Sequence, residues 1–422
     1  MPSRMATSID RCSLATSLLA FSMLSAAIAL PQFASSAARS QAAQQAAPAA
    51  HFDFGGNAAE IPAEFQGNLI FLPVRVNGSQ PSLFELDTTV AFSSMAPSRA
   101  AELGLSPAAG NTTDASGLLR NPLVELPGVR LPMSALPCFD KQGFDAQIGR
   151  HYQGTLGKDF LERVIVEIDY HRQTIRLYDP DTYKYSGKAA PVPLTFAGDV
   201  PVVHAKFDAR GKVLDADFVL ATDVDDSIVF SSRYEDSHGL VTGHLKTIPA
   251  FRPEWADSQH NALGRLRQFQ VGPKTPPVDE PLVVFSQKKE IVDGHPNVAG
   301  IIGGGFLRRF TVILDVPHKQ VFLEPHRLYN EYEEADMSGL AIIAGGNNLR
   351  RFEVVNVQPG SPAASAKIQV GDVIAGVDDE PAADLNLLAL RGLFRQIPHK
   401  YKIIIERNDK TIDLEVSMHR LL

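Results

Sequence analysis

Two short segments carry the residues best able to do chemistry: Leu86-Asp87-Thr88-Thr89 and Leu220-Ala221-Thr222-Asp223. Each follows a strand-like run, Phe84-Glu85 before the first and Phe218-Val219 before the second. Two carboxylates about 3 Å apart share one proton, because like charges that close cannot both ionise. One member then acts as a base toward an attacking water, and the protonated member polarises a carbonyl. The first segment supplies Asp87, whereas the second has Ala221 at the matching position and Asp223 two residues on. Two residues of extended strand span about 6.6 Å along one face. That is too far for a shared proton unless the loop is rebuilt. A carboxylate pair titrates as a unit, so a lone aspartate is not half of an active site.

Other chemistry is poorly served. Asp223, Asp225 and Asp226 lie close together, but no glycine-containing twelve-residue loop with a closing glutamate accompanies them. A solvated acidic loop is expected there. The glycines of 300–305 lack the Gly-Lys-Ser/Thr of a phosphate loop, and neither His-Glu-x-x-His nor Gly-x-Ser-x-Gly occurs. The expectation is no metal and no cofactor. Cys138 sits in Leu136-Pro137-Cys138-Phe139, without the local signature of a nucleophile, and reads as a half-buried thiol.

The elements that must position these residues are strands, and they occur twice. Leu69–Val76 leads through Asn77-Gly78, a strong hairpin signal, into a strand ending at Asp87. Val200–Phe207 leads through a turn at 208–211 into a strand reaching Ala221. Downstream, Gly154, Gly157, Phe160, Leu161, Arg163, Val166, Asp169 and Leu177 recur 146 residues later as Gly300, Gly303, Phe306, Leu307, Arg309, Val312, Asp315 and Leu323. Asp87 and Ala221 are 134 apart, so the second copy carries 12 extra residues between its motifs. A fixed-period identity of this kind marks a duplicated unit.

The 422 residues imply two or three domains, and 44% apolar with 21% charged residues implies folded cores. A net charge of -8, with no Lys/Arg cluster interleaved with aromatics, argues against nucleic acid as a partner. Arg4 and Arg11 precede an apolar run from Leu14 to Leu30, and Ala27-Ile28-Ala29 resembles a cleavage site. Residues 1–37 therefore read as a secretory signal peptide, and no stable membrane span is expected after its removal. Cys12 lies in that segment, which leaves Cys138 alone and no intrachain disulfide. The chain is expected to be exported, periplasmic or secreted. Residues 38–60, rich in Ala, Gln, Ser and Gly, read as a flexible lead-in. Residues 329–336 read as a solvated acidic linker.

Residues 337–420 resemble a bacterial PDZ domain. The resemblance rests on Gly360-Ser361-Pro362-Ala363-Ala364, on Gly371-Asp372-Val373-Ile374, and on a helical segment (384–395) followed by a strand, Tyr401–Glu406. Lys367 stands where a glycine is common. The resemblance implies binding of peptides or protein C-termini, added as a strand beside Gly339-Leu340-Ala341-Ile342 with Leu387, Leu390 and Arg391 on the opposite groove wall. Residues 61–328 resemble retropepsin-like aspartyl proteases of the exported, single-chain, two-lobed kind. That resemblance rests on Leu86-Asp87-Thr88-Thr89, Leu156-Gly157-Lys158-Asp159-Phe160-Leu161, Val166–Tyr170, Ile301-Ile302-Gly303 and Gly305-Phe306-Leu307.

Those resemblances imply a mainly β fold: lobes at 61–187 and 188–328, then an α+β PDZ domain. They also imply that Asp87 is a catalytic remnant and that Thr88 and Thr222 brace the lobes. The family's Asp-Thr-Gly is altered at Thr89, Ala221 and Asp223. The expectation is a peptide-holding protein with a degenerate carboxylate pair. The alternative is an active aspartic endopeptidase using Asp87 with Asp223 or with a second chain.

Overall fold

A computed structural model describes residues 49–53, 58–105, 117–139, 144–241, 245–251, 261–396 and 399–422. The expected signal peptide, and the lead-in as far as residue 48, lie outside the described residues. The chain is mainly β. Among the described residues, strands between His51 and Leu156 build an eight-stranded sheet, and strands between Thr195 and Ile302 build a ten-stranded one.

Both sheets place a functional segment in the same way. Ser82–Leu86 runs parallel to Gly154–Leu156, with Phe84 opposite Gly154 and Leu86 opposite Leu156. Val213–Leu220 runs parallel to Val298–Ile302, with Phe218 opposite Gly300 and Leu220 opposite Ile302. Glycine is required at both crossings. A Cβ on Gly154 would lie 2.3 Å from the Ser94 carbonyl, and one on Gly300 would lie 2.0 Å from the Val229 carbonyl. The sequence repeat is thus a repeat of geometry.

A six-stranded sheet joins the copies. Ile165–Asp169 pairs antiparallel with Phe310–Asp315, and Glu167 lies opposite Ile313, its own counterpart in the 146-residue repeat. Equivalent residues facing each other is what a two-fold relation between the copies requires. One apolar core runs through both copies and this seam.

The lead-in is ordered further upstream than expected. His51–Phe52 pairs with Val129–Pro132, and Ala59–Ile61 pairs with Thr174–Tyr178. Ala59 and Ile61 are buried around an exposed Glu60, the alternation of a half-buried strand, so a composition rich in small residues conceals a sheet edge. The acidic stretch also departs from a solvated linker. Arg265 donates to the Glu333 carbonyl, Arg309 to those of Tyr329 (3.2 Å) and Glu331 (2.6 Å), and the Arg265 guanidinium stacks 4.4 Å over Tyr332. Buried guanidiniums recruit backbone acceptors wherever the chain offers them.

The last six-stranded sheet has its own core, built around Phe352, Ile374, Leu387, Leu390, Ile403 and Ile405. Its edge strand is Leu340–Gly345, and its longest helix is Leu387–Leu393, N-capped by Asn386, whose Oδ1 accepts from Ala389 N at 2.7 Å. Lys367 adopts φ +68°, the left-handed conformation that makes glycine common at that position.

Candidate functional site

The two functional segments emerge side by side. Thr88 Oγ1 donates to the Leu220 carbonyl at 2.6 Å and accepts from Thr222 N at 3.1 Å. Thr222 Oγ1 donates to the Leu86 carbonyl at 2.6 Å and accepts from Thr88 N at 3.2 Å. Both threonines are fully buried. The reciprocal set ties one copy to the other through the residues next to positions 87 and 221.

Asp87 is 1% exposed. Its Oδ1 accepts from Thr89 N at 2.8 Å and Thr89 Oγ1 at 2.7 Å. The same Thr89 hydroxyl lies 3.2 Å from Asp223 Oδ2. One hydroxyl therefore stands between the two carboxylates. The 6.6 Å displacement expected along a strand does not apply here. The strand ends at Leu220, and a bend at Thr222 and Asp223 turns the second carboxylate back toward Thr89. Ala221 is fully buried in an apolar cluster with Val219, Val229 and Ile301. Position 221, the counterpart of Asp87 in the second copy, thus carries only a methyl group.

The acidic loop is not simply solvated. Asp225 Oδ1 accepts from Asn68 N (2.8 Å) and Asn68 Nδ2 (2.9 Å), fastening the loop of one copy to the other. Among the described residues no group of three or more His, Cys, Asp or Glu is placed to hold a metal ion. Burial pushes the thiol of Cys138 up, away from the thiolate a nucleophile needs.

Gly339 has φ +73°, and a Cβ there would lie 2.3 Å from Ser361 Cβ. Leu340, Ala341 and Ile342 follow in the edge strand. Of the expected opposite wall, Leu387 and Leu390 are fully buried and belong to the core. The expectation placed them one helical step out of phase. Leu388 lines the groove in their place, beside Arg391 of the expected wall, whose Nη2 donates to the Ile342 carbonyl at 2.8 Å. A cavity of about 490 Å³ lies between this groove and the first site, with Thr89 and Asp223 on one side and Ala341, Ile342, Leu388 and Arg391 on the other.

Residues 333–418 match the family model of the PDZ domain. The chain therefore carries a C-terminal domain of a kind that binds peptides by strand addition and carboxylate capture. None of the curated proteins matches the chain. Among solved structures, an aspartic proteinase from Irpex lacteus is similar over 65% of this chain and 99% of that one, at 11% identity and a TM-score of 0.39.

Several site residues escaped the sequence reading. Thr89 registers there only as a lost glycine, although its hydroxyl links Asp87 to Asp223. Asp336 belongs to a run whose composition implies solvated charges, yet its Oδ1 accepts from Ser338 N (2.8 Å), Ser338 Oγ (2.6 Å) and Gly339 N (3.0 Å). Burial pushes its carboxyl above the ordinary range, against the pull of those donors and of Arg395. The available signal was Asp-x-Ser-Gly spacing, because an aspartate readily bonds the backbone two and three residues on.

Proposed function

We propose that this chain is an exported member of the retropepsin-like family that holds peptides or unfolded protein segments, using the cleft between its lobes together with the PDZ groove. One observation carries this reading: Asp87 is buried beneath Thr89, while Thr89 and Asp223 form the wall of a cavity that continues into the PDZ groove. Aspartic proteolysis requires both carboxylates on the attacking water. Here one is covered, the other arrives from a bend, and the position opposite Asp87 carries a methyl group. Thr88 and Thr222 keep the lobes braced, which preserves the cleft.

A second reading is favoured by the Thr89 hydroxyl. With Asp223 protonated, its Oδ2–H donates to Thr89 Oγ1, and Thr89 Oγ1–H donates to Asp87 Oδ1. The pair then shares a proton through an intervening hydroxyl, and Asp87 with Asp223 acts as an endopeptidase dyad.

Incubation with reduced, unfolded α-lactalbumin from pH 3 to pH 8 separates the two. Binding measured by fluorescence anisotropy, with the bound protein remaining at intact mass, is the expected result. Cleavage that a transition-state aspartic protease inhibitor blocks, and that disappears in Asp87→Ala, would overturn the holding reading in favour of the dyad.

A further inference from the structure

The PDZ groove already contains groups from its own chain at both ends. At the loop where a peptide's terminal carboxylate is captured by backbone N–H groups, the N–H groups of Ser338 and Gly339 donate to Asp336 Oδ1. The next N–H, that of Leu340, donates to Ser338 Oγ at 3.0 Å. A side-chain carboxylate thus has the partners that a terminal carboxylate would need.

Along the edge strand Leu340–Gly345 the same pattern continues. Arg391 takes the Ile342 carbonyl, which points across the groove toward the helix. A short helix of the first lobe, Phe144–Ile148, packs against this strand. Beyond it, Gly149 lies directly on the groove helix, where a Cβ would come within 2.6 Å of Leu387 Cβ. His151 Nε2 is 3.2 Å from the Asn347 carbonyl at the far end of the strand, and its Nδ1 is 2.7 Å from Asp145 Oδ2. Strand addition needs a free run of backbone donors and acceptors. Arg391 takes one acceptor of that run, and the helix Phe144–Ile148 lies against the strand that carries it.

We propose that the PDZ groove is closed by internal ligands: Asp336 stands in for a partner's terminal carboxylate, and residues 144–151 of the first lobe stand in for the residues preceding it. A peptide C-terminus must displace both. Because Phe144, Gln147, Ile148 and Asp223 line one cavity, displacement opens the groove and the inter-lobe cleft together. This deepens the peptide-holding reading and rests on it.

The test uses the full chain, a fluorescein-labelled octapeptide ending in Ile-Val with a free carboxylate, and its C-terminal amide. The wild type binds both forms weakly and alike. Asp336→Ala gains at least tenfold for the free acid over the amide. Gly149→Val, which forces the first-lobe segment off Leu387, gains affinity for both. Asp336→Asn retains an acceptor for the loop and is the folding control. Amide exchange without peptide is read in parallel, and Ser338 and Gly339 exchange at least tenfold faster in Asp336→Ala.

A wild type that already prefers the acid tenfold would overturn the proposal, as would a wild type that binds peptide while its folded variants bind no better. So would loop amides that exchange equally fast in wild type and Asp336→Ala, whatever binds. Protected amides that open in Asp336→Ala, with no form binding either peptide, would uphold the internal carboxylate and sink the peptide-holding reading instead.

Discussion

Thr88→Val removes one hydroxyl and little volume, and the consequences follow from four hydrogen bonds. Thr88 Oγ1 serves two buried backbone groups, the Leu220 carbonyl and the Thr222 N–H. Losing it leaves both unsatisfied, at about 1–3 kcal/mol each. Partial relaxation brings the loss to about 3 kcal/mol, since part of a buried group's deficit is recovered by local movement. Thr222→Val strands a different pair, the Leu86 carbonyl and the Thr88 N–H, and costs about the same. The double variant should cost about 4 kcal/mol, less than twice either single, because once one hydroxyl is gone the loops part and the other loses its geometry. With a urea slope of about 3 kcal/mol/M for a chain of this size, each single change lowers the unfolding midpoint by about 1 M. Urea unfolding followed by circular dichroism measures it, and Thr88→Ser should recover most of the loss. A midpoint drop below about 0.2 M, or fully additive single changes, would refute the claim that these hydroxyls brace the two lobes as one unit.

Two other predictions concern the same region. The triple variant Ala221→Asp, Asp223→Gly, Thr89→Gly rebuilds a direct carboxylate pair, so it should cleave unfolded protein about 10²–10⁴-fold faster than wild type; a folded variant with no gain would mean that the cleft no longer positions substrate. Asp159 accepts from Ser93 N, Ser93 Oγ and Phe160 N, but burial raises its carboxyl above the ordinary range despite those donors. A raised folded-state value means the folded chain binds this proton more tightly, so the associated stability is present at low pH and is lost as pH rises through the folded value. Asp159→Asn should therefore raise the urea midpoint at pH 7 more than at pH 4, and an equal shift at both would contradict it.

The sequence disclosed the frame of the site because its requirements are steric and periodic. Gly154 and Gly300 recur because each strand passes against a neighbour's carbonyl, and that constraint leaves a fixed spacing in the chain. Asp223 was harder to place: its approach to Thr89 depends on the strand stopping at Leu220, and nothing in an apolar run marks its last residue. The groove helix shows a related difficulty. In Leu387-Leu388-Ala389-Leu390-Arg391 several helical phases are equally apolar, so which leucine faces the core is decided by the sheet beneath it. Asp336 was hidden by its neighbours, since an acidic run describes solvation on average and conceals one member that bonds inward.

The seam between the copies bears on how the molecule could assemble. Its two central strands are equivalent by repeat but different in chemistry, Glu167 facing Ile313. Two first lobes brought together along this edge would set Glu167 against Glu167, and like charges directly opposite destabilise a strand pair. In the native seam Glu167 is held from its own side, through Arg176 at 2.9 Å and Tyr178 at 2.6 Å. The duplication has therefore diverged on one side: a first lobe is set against a copy of itself by Glu167, whereas a second lobe presents Ile313 at the same place. An exchange of partners that brought two Asp87 residues face to face would have to work against that discrimination.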